Sequence, residues 1–100
     1  MTETEVELAV AINTKPKRKT LFIWRQMDGE AVLFNPATNE TYLLNQTGAA
    51  IWELCDGVHS IEDITDAIAE KFEAGKAEIL KDTVEFVKVG QREGYILISE

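Results

Sequence analysis

The stretch YLLNQTGAAIWELCDG, Tyr42 to Gly57, fixes the register of the whole chain. Tyr42-Leu43-Leu44 reads as the end of a strand, and Asn45 both stops it and supplies a side-chain oxygen that can cap a helix. The apolar positions Ala49, Ile51, Trp52, Leu54 and Cys55 belong to that helix, and Asp56-Gly57 ends it. A glycine there offers the left-handed conformation that closes many helices. A strand therefore turns directly into a helix in mid-chain.

Upstream of this corner the sequence reads as a meander. Leu21 to Met27 and Glu30 to Asn35 flank Asp28-Gly29, and Asp-Gly between β-rich runs signals a two-residue type I′ hairpin, because both turn residues need positive φ. That turn pairs Met27 with Glu30, Arg25 with Val32, Trp24 with Leu33 and Ile23 with Phe34. Trp24 and Leu33 then share one face while Ile23, Val32 and Phe34 share the other. Both faces are apolar, so the one without helices needs a cover from the N-terminal segment, a second subunit or a partner. Asn35 to Asn39 is a turn with Asn and Pro leading, and Glu40 to Leu44 returns as a third strand.

Further upstream, Val6, Leu8, Val10 and Ile12 alternate with Glu7, Ala9 and Ala11, a strand period that predicts a possible extra strand over residues 5–12. Residues 13–20 are basic and contain a proline, which predicts a solvated linker. The expected organisation is a flexible N-terminal segment and linker over 1–19, then one domain over 20–100.

Downstream, Ser60 caps a second helix with Asp63 at the capping-box position, and Ile61, Ile64, Ala67, Ile68 and Phe72 recur at helical spacing. A third helix begins near Lys76 and ends by Gly94. At 100° per residue, Ile79, Leu80, Thr83, Phe86, Val87 and Gly90 make its buried stripe. Lys81, Val84, Lys88 and Gln91 lie along one flank, and Asp82, Glu85 and Val89 on the other side. Tyr95 to Ile98 is a short apolar run, a strand or a packed tail. Three antiparallel strands followed by three helices predict an α+β, winged-helix-like fold.

One hundred residues make one small domain, and the net charge of −8 is unevenly placed. Residues 1–27 carry an excess of two basic groups, so 28–100 carry ten excess acidic ones. Phosphate backbones bind through clustered Lys and Arg, and the third helix from Ala77 to Glu93 is itself net acidic, which argues against the DNA-binding use of a winged helix. No apolar run reaches the ~18 residues of a membrane span, and the single cysteine excludes an internal disulfide, so a cytoplasmic location is expected. Cys55 and His59 fall short of a zinc ligand set, and Glu53 and Asp56 flank the cysteine where a reactive thiolate needs positive charge. No phosphate loop or serine elbow is present, so no catalytic residue, metal or cofactor is expected.

The edge of the sheet remains. An extended peptide can pair with a free strand by β-augmentation, main-chain hydrogen bonds giving affinity and side-chain pockets selectivity. Glu40, Thr41, Tyr42, Leu43 and Leu44 would be that strand. Lys81, Val84, Lys88 and Gln91, with Glu85, would form the opposing wall, where Lys81 and Lys88 attract acidic peptide side chains. Because strand positions alternate, one of Tyr42 and Leu43 belongs to the core.

The ordered set Leu44-Asn45, Ile51-Trp52, Asp56-Gly57, Ser60 and Ile64, with Asp82, Phe86 and Gly94 further on, resembles the PqqD family of pyrroloquinoline quinone biosynthesis proteins over about residues 20–98. The resemblance implies a non-enzymatic peptide chaperone. Such a domain holds the leader of a ribosomally made precursor peptide against its third strand and third helix, here Glu40 to Leu44 and about Lys81 to Gln91. It then presents the leader to a modifying enzyme, commonly a radical S-adenosylmethionine protein. Two departures from the family pattern bear on packing. Gly90 stands where the family usually has a core leucine, at a propensity cost of about 1 kcal/mol against Ala, and Trp52 enlarges a site often filled by Leu. A DNA-binding regulator and a structural module that forms a homodimer through the sheet are the alternative expectations.

Overall fold

The computed structural model describes residues 12–98, and the predicted strand over 5–12 lies outside them but for Ile12. The Asp-Gly turn acts as expected. Asp28 and Gly29 take φ of 53° and 83°, joining β2 (Ile23–Met27) to β3 (Glu30–Asn35) in the predicted register, Ile23 opposite Phe34 and Met27 opposite Glu30. Asn35 closes the next turn with its own side chain, accepting from the Ala37 amide at 2.9 Å, and Asn39 takes the left-handed conformation before β4 (Glu40–Leu44) returns. The sheet order is β2-β3-β4, so β2 and β4 are both edges among the described residues.

Asn45 caps α1 (Gln46–Leu54) by accepting from the Gly48 amide at 2.8 Å. The exit of α1 differs from expectation. Gly57 has φ of +82°, yet its N–H donates to the Pro16 carbonyl rather than to the helix. The terminal carbonyls are met by the Cys55 amide on Trp52 O at 3.2 Å, the Asp56 amide on Leu54 O at 3.0 Å, and Arg18, whose Nη1 donates to Trp52 O at 2.9 Å and Glu53 O at 2.5 Å. A cation at this end also opposes the helix dipole. Ser60 and Asp63 form the expected capping box on α2 (Ile61–Phe72). Gly94, φ +95°, ends α3 (Lys76–Glu93).

Residues 13–20 are not the solvated linker that their basic composition predicts. Pro16–Arg18 form a strand, β1, paired antiparallel with β5 (Ile96–Ile98), and Pro16 is buried. The carbonyls of Ile12 and Thr14 accept from the Glu62 and Ile61 amides at 2.9 and 2.8 Å. The first amides of a helix have no partner within it, and this segment meets two of them. The folded unit thus begins upstream of residue 20, and the second, two-stranded sheet adds to the α+β fold.

The core lies between the inner sheet face and the helices. Leu33, Trp52, Ile61, Ile64 and Val87 are wholly buried. Tyr95 sits at the centre of an aromatic cluster, with ring centroids 5.1 to 6.1 Å from Tyr42, Phe22, Trp52 and Phe86. Gly90 belongs to this packing. A Cβ there would lie 2.5 Å from Ile96 Cγ1 and 2.8 Å from Tyr95 Cε1, so glycine admits the turn from α3 into β5. The outer sheet face carries Ile23, Met27 and Leu43, at 61%, 59% and 81% exposure, and the half-buried Val32 and Phe34.

Candidate functional site: the free edge of β4

Alternation along β4 divides its residues. Tyr42 and Leu44 share a face with Leu33 and Ala31 and turn inward; Thr41 and Leu43 pair with Phe34 and Val32 on the outer face. Leu44 is buried and Tyr42 half-buried against the core, whereas Leu43 is almost fully exposed and Glu40 and Thr41 are exposed. Tyr42 is therefore the core member of the Tyr42/Leu43 pair. Among the described residues β4 has β3 on one side only, so half of its backbone amides and carbonyls point away from the sheet, as on any edge strand.

The aromatic cluster ties this edge to α3. Tyr42 stacks at a tilt on Tyr95, and Tyr95 on Phe86. Phe86 also lies against the first turn of α1, its Cε2 3.6 Å from where a Gly48 Cβ would stand. Between that turn and α3 is a cleft of about 230 Å³ bordered by Asn45, Thr47, Gly48, Asp82, Glu85 and Phe86. Burial raises the Tyr42 phenol above its ordinary pKa, and the charges of Glu40 and Glu93 raise it further. The Tyr95 phenol is raised in the same way, first by burial and then by Glu93. The α3 stripe beside β4 and α1 is thus Asp82, Glu85, Phe86 and Glu93, with one aromatic among carboxylates.

The residues singled out on α3 fall round from this stripe. Lys81, Val84, Glu85 and Lys88, with Val89 and Arg92, border a second and larger cleft of about 500 Å³ on the exposed side of the helix. Val84 packs against the core. Glu85 borders both clefts, and the exposed Gln91 borders neither. Periodicity assigned Phe86 to the buried stripe and Tyr95 to a short apolar run, a strand or a packed tail. Their part in joining β4 to α3 was visible in sequence only as an aromatic residue just past a Gly94 cap.

The chemistry elsewhere is that of packing. Cys55 is buried, and burial pushes its thiol up to about 12 against the opposing pull of Arg18. Asp56 accepts from the Val58 and His59 amides at 2.8 and 3.0 Å and contacts His59 Nδ1 at 2.8 Å. Those donors hold its carboxyl down at about 2. Among the described residues no three His, Cys, Asp or Glu side chains are grouped to hold a metal ion, and no helix is long and apolar enough to cross a membrane.

A three-stranded meander followed by three helices, with a second small sheet, is an α+β fold shared with solved proteins that bind leader peptides. The chain matches TbiB1, solved in complex with the TbiA(β) leader peptide, at TM-score 0.71 and 22% identity over 80% of this chain and 93% of that one. It matches a lasso peptide synthetase B1 complexed with its leader peptide at 0.72 and 22%, over 83% and 98%. The PqqD truncation of Methylobacterium extorquens PqqCD, described as a stand-alone recognition element for ribosomally synthesised and post-translationally modified peptides, matches at 0.68 and 19%, over 82% and 87%. The family description Coenzyme PQQ synthesis protein D (PqqD) fits residues 30–96, and the chain belongs to that family. A PqqA binding protein of Methylococcus capsulatus is 40% identical over 53 residues, which span 53% of this chain and 55% of that protein.

Proposed function

We propose that this protein is a non-catalytic carrier of a precursor peptide, binding its leader by strand addition to β4 and presenting it to a peptide-modifying enzyme, such as a radical S-adenosylmethionine protein. The observation that carries the reading is the β4 edge itself. It is unpaired on one side among the described residues, bears a Leu43 side chain 81% exposed, and is tied to α3 through Tyr42, Tyr95 and Phe86. Family membership supports it, as do the name of the Methylococcus relative and the leader peptides bound to two proteins of the same fold.

An added strand takes its affinity from backbone hydrogen bonds and its selectivity from alternate side chains. Peptide residues beside Tyr42 would enter the Asp82–Glu85–Phe86 cleft, where an apolar or basic side chain is favoured and an acidic one repelled. Acidic peptide residues that extend across α3 would meet Lys81, Lys88 and Arg92. Calorimetric titration of synthetic leaders, drawn from short reading frames beside the gene, tests this. Binding by one of them that falls on Leu43→Asp supports the proposal; no binding by any refutes it.

A further inference from the structure

The helices pack on one face of the three-stranded sheet, and the outer face presents rows of side chains. Across β2, β3 and β4 these are Ile23, Phe34 and Thr41, then Arg25, Val32 and Leu43, then Met27 and Glu30. Ile23, Met27 and Leu43 are at least 59% exposed. Two grooves of about 350 and 310 Å³ run over this face and meet at Met27 and Val32. A contiguous apolar patch on a small domain marks a contact surface.

Charge narrows the occupant. The protein carries −8, so two copies repel over most of their surface. The outer face is neutral, because its charged residues, Arg25 and Glu30, cancel. Asp28 lies past the last row in the turn, and Glu40 falls on the inward-facing positions of β4. Arg25 and Glu30 are exposed, and their side chains make no ion pair or hydrogen bond to another described residue.

The rows also select an arrangement. A twofold contact sets the same face against itself, and packed sheets stack either aligned or crossed near a right angle. With the axis over Val32, an aligned stack places Glu30 on Glu30 when the axis runs along the strands, and Arg25 on Arg25 when it runs across them. Of the two crossed stacks, one sets Glu30 against Leu43. The other sets Arg25 on Glu30 and Phe34 on Leu43, with Val32 and Met27 each on their own copies. The positions match to about 2 Å, the difference between a strand spacing of ~4.8 Å and a two-residue rise of ~6.7 Å.

We propose that the outer sheet face is a self-association surface, on which a second copy packs crosswise with Arg25 of each chain against Glu30 of the other. The face measures roughly 14 by 17 Å, small beside the ~800 Å² per partner of a standard interface. The dimer is therefore transient and fills at high protein concentration. It leaves the backbone edge of β4 open, so this inference does not depend on the peptide-binding proposal.

Sedimentation of the full chain without leader, from about 10 µM to about 1 mM, should show dimer growing with concentration. The amides of residues 23–34 should shift over the same range while those of α2 stay. Arg25→Glu or Glu30→Arg alone makes both cross-chain contacts repulsive and should weaken association about tenfold. Glu30→Arg lowers the net negative charge, so general repulsion by itself would give the opposite result. The two variants mixed in equal amounts should associate as the unaltered chain does, because each meets the opposite charge on its partner, and the double variant should recover association too. Both positions are exposed, and amide spectra check that the fold persists. A chain that stays monomeric throughout, association that shifts another face, single variants that associate normally, or a mixture that stays monomeric overturns the proposal.

Discussion

Replacing Gly90 by alanine sets two effects of comparable size against each other. In the middle of an exposed helix the change stabilises by about 1 kcal/mol, through backbone entropy. Here the added methyl would stand 2.5 Å from Ile96 Cγ1, 2.8 Å from Tyr95 Cε1 and 3.0 Å from Ile96 Cβ. The Tyr95 ring is held among four other aromatic rings and Ile96 is wholly buried, so neither yields unless β5 moves. Inserting a methylene into a packed core costs about 1–3 kcal/mol, and the fixed neighbours put this case in the upper half of that range. The net expectation is a loss of about 1–2 kcal/mol, or a fall in Tm of roughly 4–15 °C for a domain of this size. Thermal and urea unfolding followed by circular dichroism measure it, and amide shifts should spread into Pro16–Arg18, the partner strand of β5. A rise in Tm would refute the packing argument and leave helix propensity in control.

Trp52→Ala should cost about 3–5 kcal/mol by emptying the centre of the core, read from the urea midpoint; a loss below about 1 kcal/mol would contradict the packing. Asp56 has a folded pKa of about 2, below the unfolded value near 3.9. Its contribution is therefore complete above about pH 4 and lost as pH falls through about 2. Asp56→Asn should flatten the stability profile in that window and lower stability at neutral pH by about 1 kcal/mol, discounted because the carboxylate is one-third exposed; an unchanged acid limb would refute the assignment. Leu43→Ala should leave stability within about 0.5 kcal/mol, as for an exposed position, while weakening leader binding by about 1 kcal/mol, roughly fivefold.

The three-stranded sheet was legible because one dipeptide constrains it: Asp28-Gly29 admits only a turn with two positive φ values, and the turn sets every cross-strand pair. The helices were legible through Asn45, Ser60 and Gly94, whose side chains or missing side chain act within a few residues. What escaped was non-local. Tyr95 to Ile98 read as a strand or a packed tail, but its partner did not show: β1 is three residues long, contains Pro16 and lies some eighty positions away, so no local period marks the pair. Arg18 reads as a solvated charge until the carbonyls of α1 are placed beside it. Gly90 reads as a helix defect until Ile96 folds back onto it. For the candidate site, β4 and its alternation followed from the sequence. Periodicity divides α3 into arcs without saying which arc meets its neighbours, and the structure turns Asp82, Glu85 and Phe86 toward the first turn of α1, just after β4, with Lys81 and Lys88 further round.

The central claim is that β4 is the surface on which a leader peptide adds as a strand. Titration of isotopically labelled protein with the leader that binds it tests this most directly. The amides of Glu40–Leu44 should shift, slow in hydrogen exchange and show interstrand contacts to the peptide, with smaller shifts from Asp82 to Lys88 on α3. Shifts that leave β4 unmoved and map elsewhere on the fold would contradict the account.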